Sequence, residues 1–132
     1  MSYLNTFIKV SEDCPVLESE VPATKGDKKP AHLVQYELLT QQPYHYDHDD
    51  LVFEVFAIQK DVAEPEREEA RRVLLSKGQP CLRASALVKR YGFGAHYNDA
   101  GKIALYPRES TAYQDFVNDP AVKKLNGMKT KR

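Results

Sequence analysis

The chain has only two cysteines, no apolar run of membrane-spanning length and no excess of either charge. Each shortage excludes something. Cys14 and Cys81 are too few for a disulfide framework and lack the spacing of a zinc site, so both read as reduced thiols. No stretch approaches the roughly 18 apolar residues that a membrane helix needs. The opening MSYLNTFIKVSED lacks the charged, apolar and cleavage regions of a signal peptide, so a cytoplasmic, membrane-free protein is expected. A formal net charge of zero argues against a nonspecific nucleic-acid binder, because phosphate affinity accumulates with positive charge. Glycine-rich phosphate loops are absent as well: Gly92 and Gly94 lack the strand-turn-helix context of such a loop.

What is present is a globular composition, 42% hydrophobic and 29% charged over 132 residues, enough for one compact domain. The expected organisation is a single domain over residues 1–125 and a flexible basic tail over 126–132. Charge is distributed unevenly. Residues 1–80 carry nine Lys or Arg against fifteen Asp or Glu, whereas residues 81–108 carry five against one. All of the second segment but Arg108 falls within Gln79–Pro107, QPCLRASALVKRYGFGAHYNDAGKIALYP, around which the chain is best understood. Phe93–Asn98 and Lys102–Tyr106 read as antiparallel strands joined by Asn98-Asp99-Ala100-Gly101, whose glycine supplies a positive φ. Before them, Gly78 ends one helix and Pro80 opens another, with Cys81 in its first turn.

Elsewhere, Asn5–Val10 reads as a strand that can join the hairpin. Ser11–Pro30, with three prolines and a polar run, reads as a long surface connection. Ala31–Gln42 alternates ambiguously between helix and strand, and helix is preferred, ended by Pro43. Asp47 caps the next helix, Leu51–Lys60, which is apolar enough to be the most buried element although a strand competes with it. Glu64–Lys77 is the clearest helix, with Ala70, Val73 and Leu74 facing inward and Glu68 paired with Arg72. Thr111–Gln114 resembles a capping box, and Asp119-Pro120 begins a last short helix through Leu125. These elements give an α+β domain in which a small antiparallel sheet, hairpin plus N-terminal strand, is covered by several helices.

Three constellations carry chemistry. Arg83, Lys89, Arg90, His96 and Lys102, with Tyr106 nearby, can surround a carboxylate or phosphate beside the Pro80 helix start; the alternative is a solvated charged face. Cys81 at a helix start can be a reactive thiol with His96 as its base, or a small residue filling space. His45, Asp47, His48, Asp49 and Asp50 hold metal-capable groups within six residues, but neighbours on one turn rarely converge, so no metal and no cofactor is expected. The leading functional expectation is a binding module for a small acidic ligand or a partner's acidic segment. A thiol-dependent enzyme and a homo-oligomeric scaffold are the alternatives.

Four stretches, NTFIKVSEDCP, VQYELL, PYHYDHDDLVFEVFA and SKGQPCLRASALVKRYGFGAHYNDAGKIALY, together resemble a family of small, mainly bacterial proteins of about 130 residues classed as a domain of unknown function. The likeness spans nearly the whole chain. It implies no activity, ligand or partner. Asp47-His48 stands where that family's pattern has Thr-Ser or similar residues, and Phe93 where it has Trp.

Overall fold

The hairpin forms around one asparagine. Asn98 Oδ1 accepts the backbone N–H groups of Ala100 at 2.9 Å and Lys102 at 3.0 Å, and Gly101 takes the left-handed conformation, φ 79°, that closes the turn. In this computed structural model, which describes residues 3–24 and 26–130, β2 (Phe93–Tyr97) and β3 (Ile103–Pro107) flank that turn, and β1 (Thr6–Lys9) pairs antiparallel with β2.

A fourth strand was not expected. Residues 123–125, expected to end a short helix, and Asn126, expected to open the tail, together form β4 (Lys123–Asn126), which lies parallel to β1 and gives the order β3-β2-β1-β4. The expected helix is only about two turns long, and such short helices are marginal without tertiary support. The open edge of β1 offers this segment partners instead: Lys123 N–H donates to Asn5 C=O at 3.1 Å and Gly127 N–H to Lys9 C=O at 2.9 Å. The α+β class holds, with a mixed sheet in place of a purely antiparallel one.

Strand alternation then separates two packing surfaces. Ile8, Ala95, Tyr97 and Ile103 face one side, where they meet α1 (Ala31–Gln41), α2 (His48–Lys60) and the four-residue α4 (Ala86–Lys89). Phe7 faces the other side and meets Tyr113 of α5 (Thr111–Asn118) edge to face at 5.0 Å. Gly94 makes that approach possible: a Cβ there would lie 2.6 Å from Phe7 Cζ and 2.7 Å from Tyr113 Cε2. Helix starts follow local rules. Asp47 Oδ1 accepts the Asp50 N–H at 2.8 Å, and Ser110, rather than Thr111, caps α5 by accepting from Tyr113 N–H at 3.1 Å.

Two helical expectations need correction. α3 (Arg67–Leu75), preceded by a 3₁₀ turn at Glu64–Glu66, buries none of its residues, and Val73 is 43% exposed. It is held by its arginines rather than by an apolar stripe: Arg67 and Arg71 lie over the Phe53 ring at 4.9 and 5.7 Å and pair with Glu54 and Asp50. Arg72 pairs with Glu69, not Glu68. The helix expected from Pro80 is broken in two. A 3₁₀ turn at Leu82–Ala84 ends at Ser85, whose extended backbone and hydroxyl, accepting from Leu87 N–H at 3.1 Å, start α4 afresh. Cys81 therefore sits ahead of a single 3₁₀ turn, and the argument for a helix dipole acting on it lapses.

Of the basic tail expected at 126–132, residues 131 and 132 lie outside the described residues. Ser11 Oγ donates to Met128 C=O at 2.6 Å, Met128 N–H to Arg83 C=O at 2.8 Å, and Thr130 N–H to Asp13 at 2.9 Å.

Gly94→Ala should destabilise the protein by about 1–3 kcal/mol through overpacking, despite alanine's lower entropic cost in a strand. Urea unfolding checks this, with a lowered midpoint and unchanged m-value expected; an unchanged midpoint would show that Phe7 and Tyr113 have room to move.

Candidate functional site

The six residues expected to bind an anion do not meet at one point. Lys102 leads into β3, its Nζ 3.8 Å from Asp50, while Arg83 Nε donates to the Asn126 carbonyl of β4 at 2.8 Å. β3 and β4 are the two edges of the sheet, three strand spacings or ~14 Å apart. His96 and Tyr106 lie on the α5 face, where the imidazole stacks on Phe116 at 4.1 Å. Cys81 belongs to the opposite face: its sulfur is 3.4 Å from the Tyr3 hydroxyl, and Tyr3 packs on Tyr97. With the sheet between them, His96 cannot serve as base to Cys81. Lys89 and Arg90 close α4.

His96 and Tyr106 are joined by a residue that sequence reading did not associate with them. The Tyr44 hydroxyl is 2.7 Å from both His96 Nδ1 and the Tyr106 hydroxyl. Tyr44 reaches there from a left-handed backbone, φ 59°, a strain of order 1–3 kcal/mol for a bulky residue. Two bonds to the outer edge of β3, Tyr44 N–H to Ile103 C=O and Ile103 N–H to Tyr46 C=O, both 2.9 Å, hold it. Burial lowers the His96 pKa and drives that of Tyr44 well above the phenol range. Burial thus keeps both His96 and Tyr44 neutral near pH 7. The hydrogen bonds of the trio are spent inside the fold, which makes it a structural clasp.

The acidic turn is also committed to structure. Asp47 is a cap, Asp50 pairs with Arg71 and Lys102, His45 packs on Tyr46 at 4.7 Å, and His48 is buried.

A groove between α1 and α4 gathers the remaining polar groups. Two hollows, about 330 and 230 Å³, share His32 and Ala86 in their walls. The larger is bounded by Thr24, Pro30, Arg90 and Tyr91, the smaller by Gln35, Pro80, Cys81 and Ser85. The His32 ring stacks on Tyr91 at 5.0 Å. α1 begins here from extended Pro30, with no side-chain cap and no acid in its first turn, so the positive end of its dipole faces the groove without a protein carboxylate. The Ser85 hydroxyl donates to Gln35 at 2.7 Å and accepts from Leu87 N–H. The outer wall is fixed by the loop residues 11–24. Arg108 donates to Val16 C=O at 2.6 Å, both Glu109 oxygens accept from Ser19 at 2.8 Å, and Glu20 N–H meets Tyr91 C=O at 2.9 Å.

At the inner end, the contact with Cys81 raises the Tyr3 pKa, with burial adding to it and Arg83 opposing it. Beside it Tyr97 is wholly buried, yet its hydroxyl has no hydrogen-bond partner. The Leu82 N–H approaches that hydroxyl without closing a bond, and such an unpaired group costs about 1–3 kcal/mol. Of the residues picked out from sequence as site candidates, the groove takes Arg90 and Cys81. It adds His32, Thr24, Tyr91 and Gln35. The signal that could have found it is Pro30 at the start of α1, a helix opening with no Ser, Thr, Asp or Asn at the cap position.

A mixed four-stranded sheet with helices on both faces and a cation-edged groove on one of them is, in class, a small α+β protein; among the described residues no helix is long and apolar enough to cross a membrane. The chain belongs to the family of unknown function DUF6157, whose model matches residues 1–132. Neither the curated proteins nor the solved structures compared with the chain contain a match.

Burial lowers the pKa of both His48 and His96 from the ordinary value of 6.5. A histidine held below its unfolded value binds fewer protons folded than unfolded, so it costs nothing above about pH 6.5 and destabilises progressively below it. Glu109, held down by the Ser19 bonds, adds acid sensitivity only below its ordinary 4.5. Urea midpoints between about pH 5 and 7 should therefore fall with acidity, and His96→Gln should flatten that fall. An identical slope in the variant would mean that the ring protonates as readily folded as unfolded.

Proposed function

We propose that the protein is a cytoplasmic binding module for a small acidic ligand, a carboxylate or phosphate, held in the groove between α1 and α4. The observation that carries this reading is a hollow whose wall holds Arg90 and His32 and which opens on a helix start that no side chain caps. Guanidinium offers a planar fork to an oxyanion, and first-turn N–H groups add donors along the favourable end of the dipole. The stacked His32 and Tyr91 rings form one side of the hollow. Of the residues expected to share the ligand, Arg90 alone lines this hollow among the described residues; Arg83 and Lys102 serve the sheet edges, and His96 and Tyr106 serve the clasp. The cytoplasmic setting belongs to the proposal and suits two free thiols.

Assembly through a sheet edge is the weaker alternative. Residues Tyr44–Tyr46 occupy part of the β3 edge, and β4 is only four residues long, with exposed Lys123 and an end carbonyl taken by Arg83. Short, lysine-bearing edges resist strand pairing.

Citrate titrated into ¹⁵N-labelled protein tests the site. Shifts should concentrate at Ala31–Leu33, Arg90 and Tyr91, and Arg90→Gln should weaken binding about tenfold, the worth of one charge-assisted hydrogen bond. Shifts centred on Lys123, Lys124 and Lys129, or equal affinity in Arg90→Gln, would place any anion binding elsewhere.

A further inference from the structure

The two hollows of the groove continue into a third, about 200 Å³, whose walls share Gln35 and Pro80 with the smaller of them. Gln35 lies one turn of α1 beyond Ala31, so the hollows follow one another along that helix, away from Arg90. Their chemistry changes on the way. Arg90 stands at one end, the His32 and Tyr91 rings and the Ser85–Gln35 pair come next, and the far end is built from Val52, Val55, Phe56 and Leu74. The three α2 residues of that set are spaced i, i+3, i+4 and form one stripe of the helix. α3 docks through its arginines on Phe53, and Val52, Phe56 and Leu74 stay partly exposed. The chain has nineteen Asp and Glu residues, yet among the described residues none lines any of the three hollows, and Arg90 is the only Lys or Arg that does. A groove with one cation at one end, no acid along it and an apolar surface at the other end fits a molecule of matching polarity, one acid on a hydrocarbon tail.

We propose that the groove binds a medium-chain monocarboxylate, its acid at Arg90 and its tail running past Gln35 onto Val52, Phe56 and Leu74. This rests on the anion reading above and adds the ligand's second feature, an apolar chain. The acid fixes orientation, because only one end of the groove offers a positive charge. The tail is held by the apolar area it removes from water, so affinity grows with each methylene until the far hollow is filled. A compact acid such as citrate uses the first hollow alone.

The test titrates butyrate, hexanoate, octanoate and uncharged 1-octanol into the ¹⁵N-labelled full chain. Each step of two methylenes should tighten carboxylate binding about tenfold, and octanoate should add shifts at Val52, Phe56 and Leu74 to those at Ala31–Leu33 and Arg90. Arg90→Gln should weaken octanoate about tenfold and change octanol by less than about twofold. Leu74→Gln, on a helix that buries none of its residues, should weaken octanoate about tenfold and leave citrate binding unchanged. If citrate shifts Ala31–Leu33 while the three carboxylates bind equally, or the gain with chain length survives Leu74→Gln, this inference fails and the anion site stands. Octanoate shifts confined to the far hollow and indifferent to Arg90→Gln would also overturn it, since acid and tail would then not share one site. If neither citrate nor octanoate shifts Ala31–Leu33, both readings fail.

Discussion

The constraint on which the architecture depends is that β1 is an interior strand covered on both faces. Phe7 and Ile8 are neighbours in sequence, point to opposite sides of the sheet, and are both wholly buried. One sheet surface left to water would expose one or the other, so the chain must supply two covering layers. It does so unequally. α1, α2 and α4 form the broad layer over Ile8, while α5 alone forms the narrow one over Phe7, with Tyr113 and Phe116 filling what a larger helical layer would otherwise fill. The Tyr113 hydroxyl also accepts the Val10 N–H at 2.9 Å, tying that layer to the end of the strand it covers.

The groove follows from this arrangement. α1 and α4 both rest on the broad face but enter it differently: α1 from the long loop through Pro30, α4 through the Ser85 break after a 3₁₀ turn. Neither entry fills the space between their first turns. A continuous helix from Pro80 would have a regular side-chain row to pack against α1. The break at Ser85 instead leaves Cys81, Ser85 and Ala86 as separate points on the wall, and the loop, anchored by Arg108 and Glu109, sets the opposite rim.

What could be read from the chain was what short stretches decide. The Asn98–Gly101 turn and the Asp47 cap depend on a side chain bonding to a backbone group a few residues away, and α1 ends before Pro43 because the ring disfavours a helical residue ahead of it, so their residue types carry the information. β4 was illegible for the opposite reason. KKLN holds no strand pattern, and it is extended because β1 has an unsatisfied edge more than a hundred residues earlier. α3 misled because its apolar residues do fit one helical face, yet two arginines stacked on Phe53 dock it more effectively. As for the site, Arg90 and Cys81 are visible as chemistry, but their common neighbour His32 comes from another helix and no local signal links them. The clasp was half visible: His96 and Tyr106 stood out, and the strained Tyr44 that joins them did not.

Two local costs in the structure have different standing, and the difference indicates where function is to be sought. Tyr44 adopts an unfavourable backbone conformation and receives in return two edge bonds and two short hydroxyl contacts that close one side of the sheet. Its strain is accounted for by the fold it completes. Tyr97 receives nothing comparable. Its ring is needed, packed with Tyr3 within the main core, but its oxygen is desolvated with no acceptor or donor in return. On that same side of the sheet lies the hollow where, among the described residues, a thiol, an imidazole and an uncapped helix start come together.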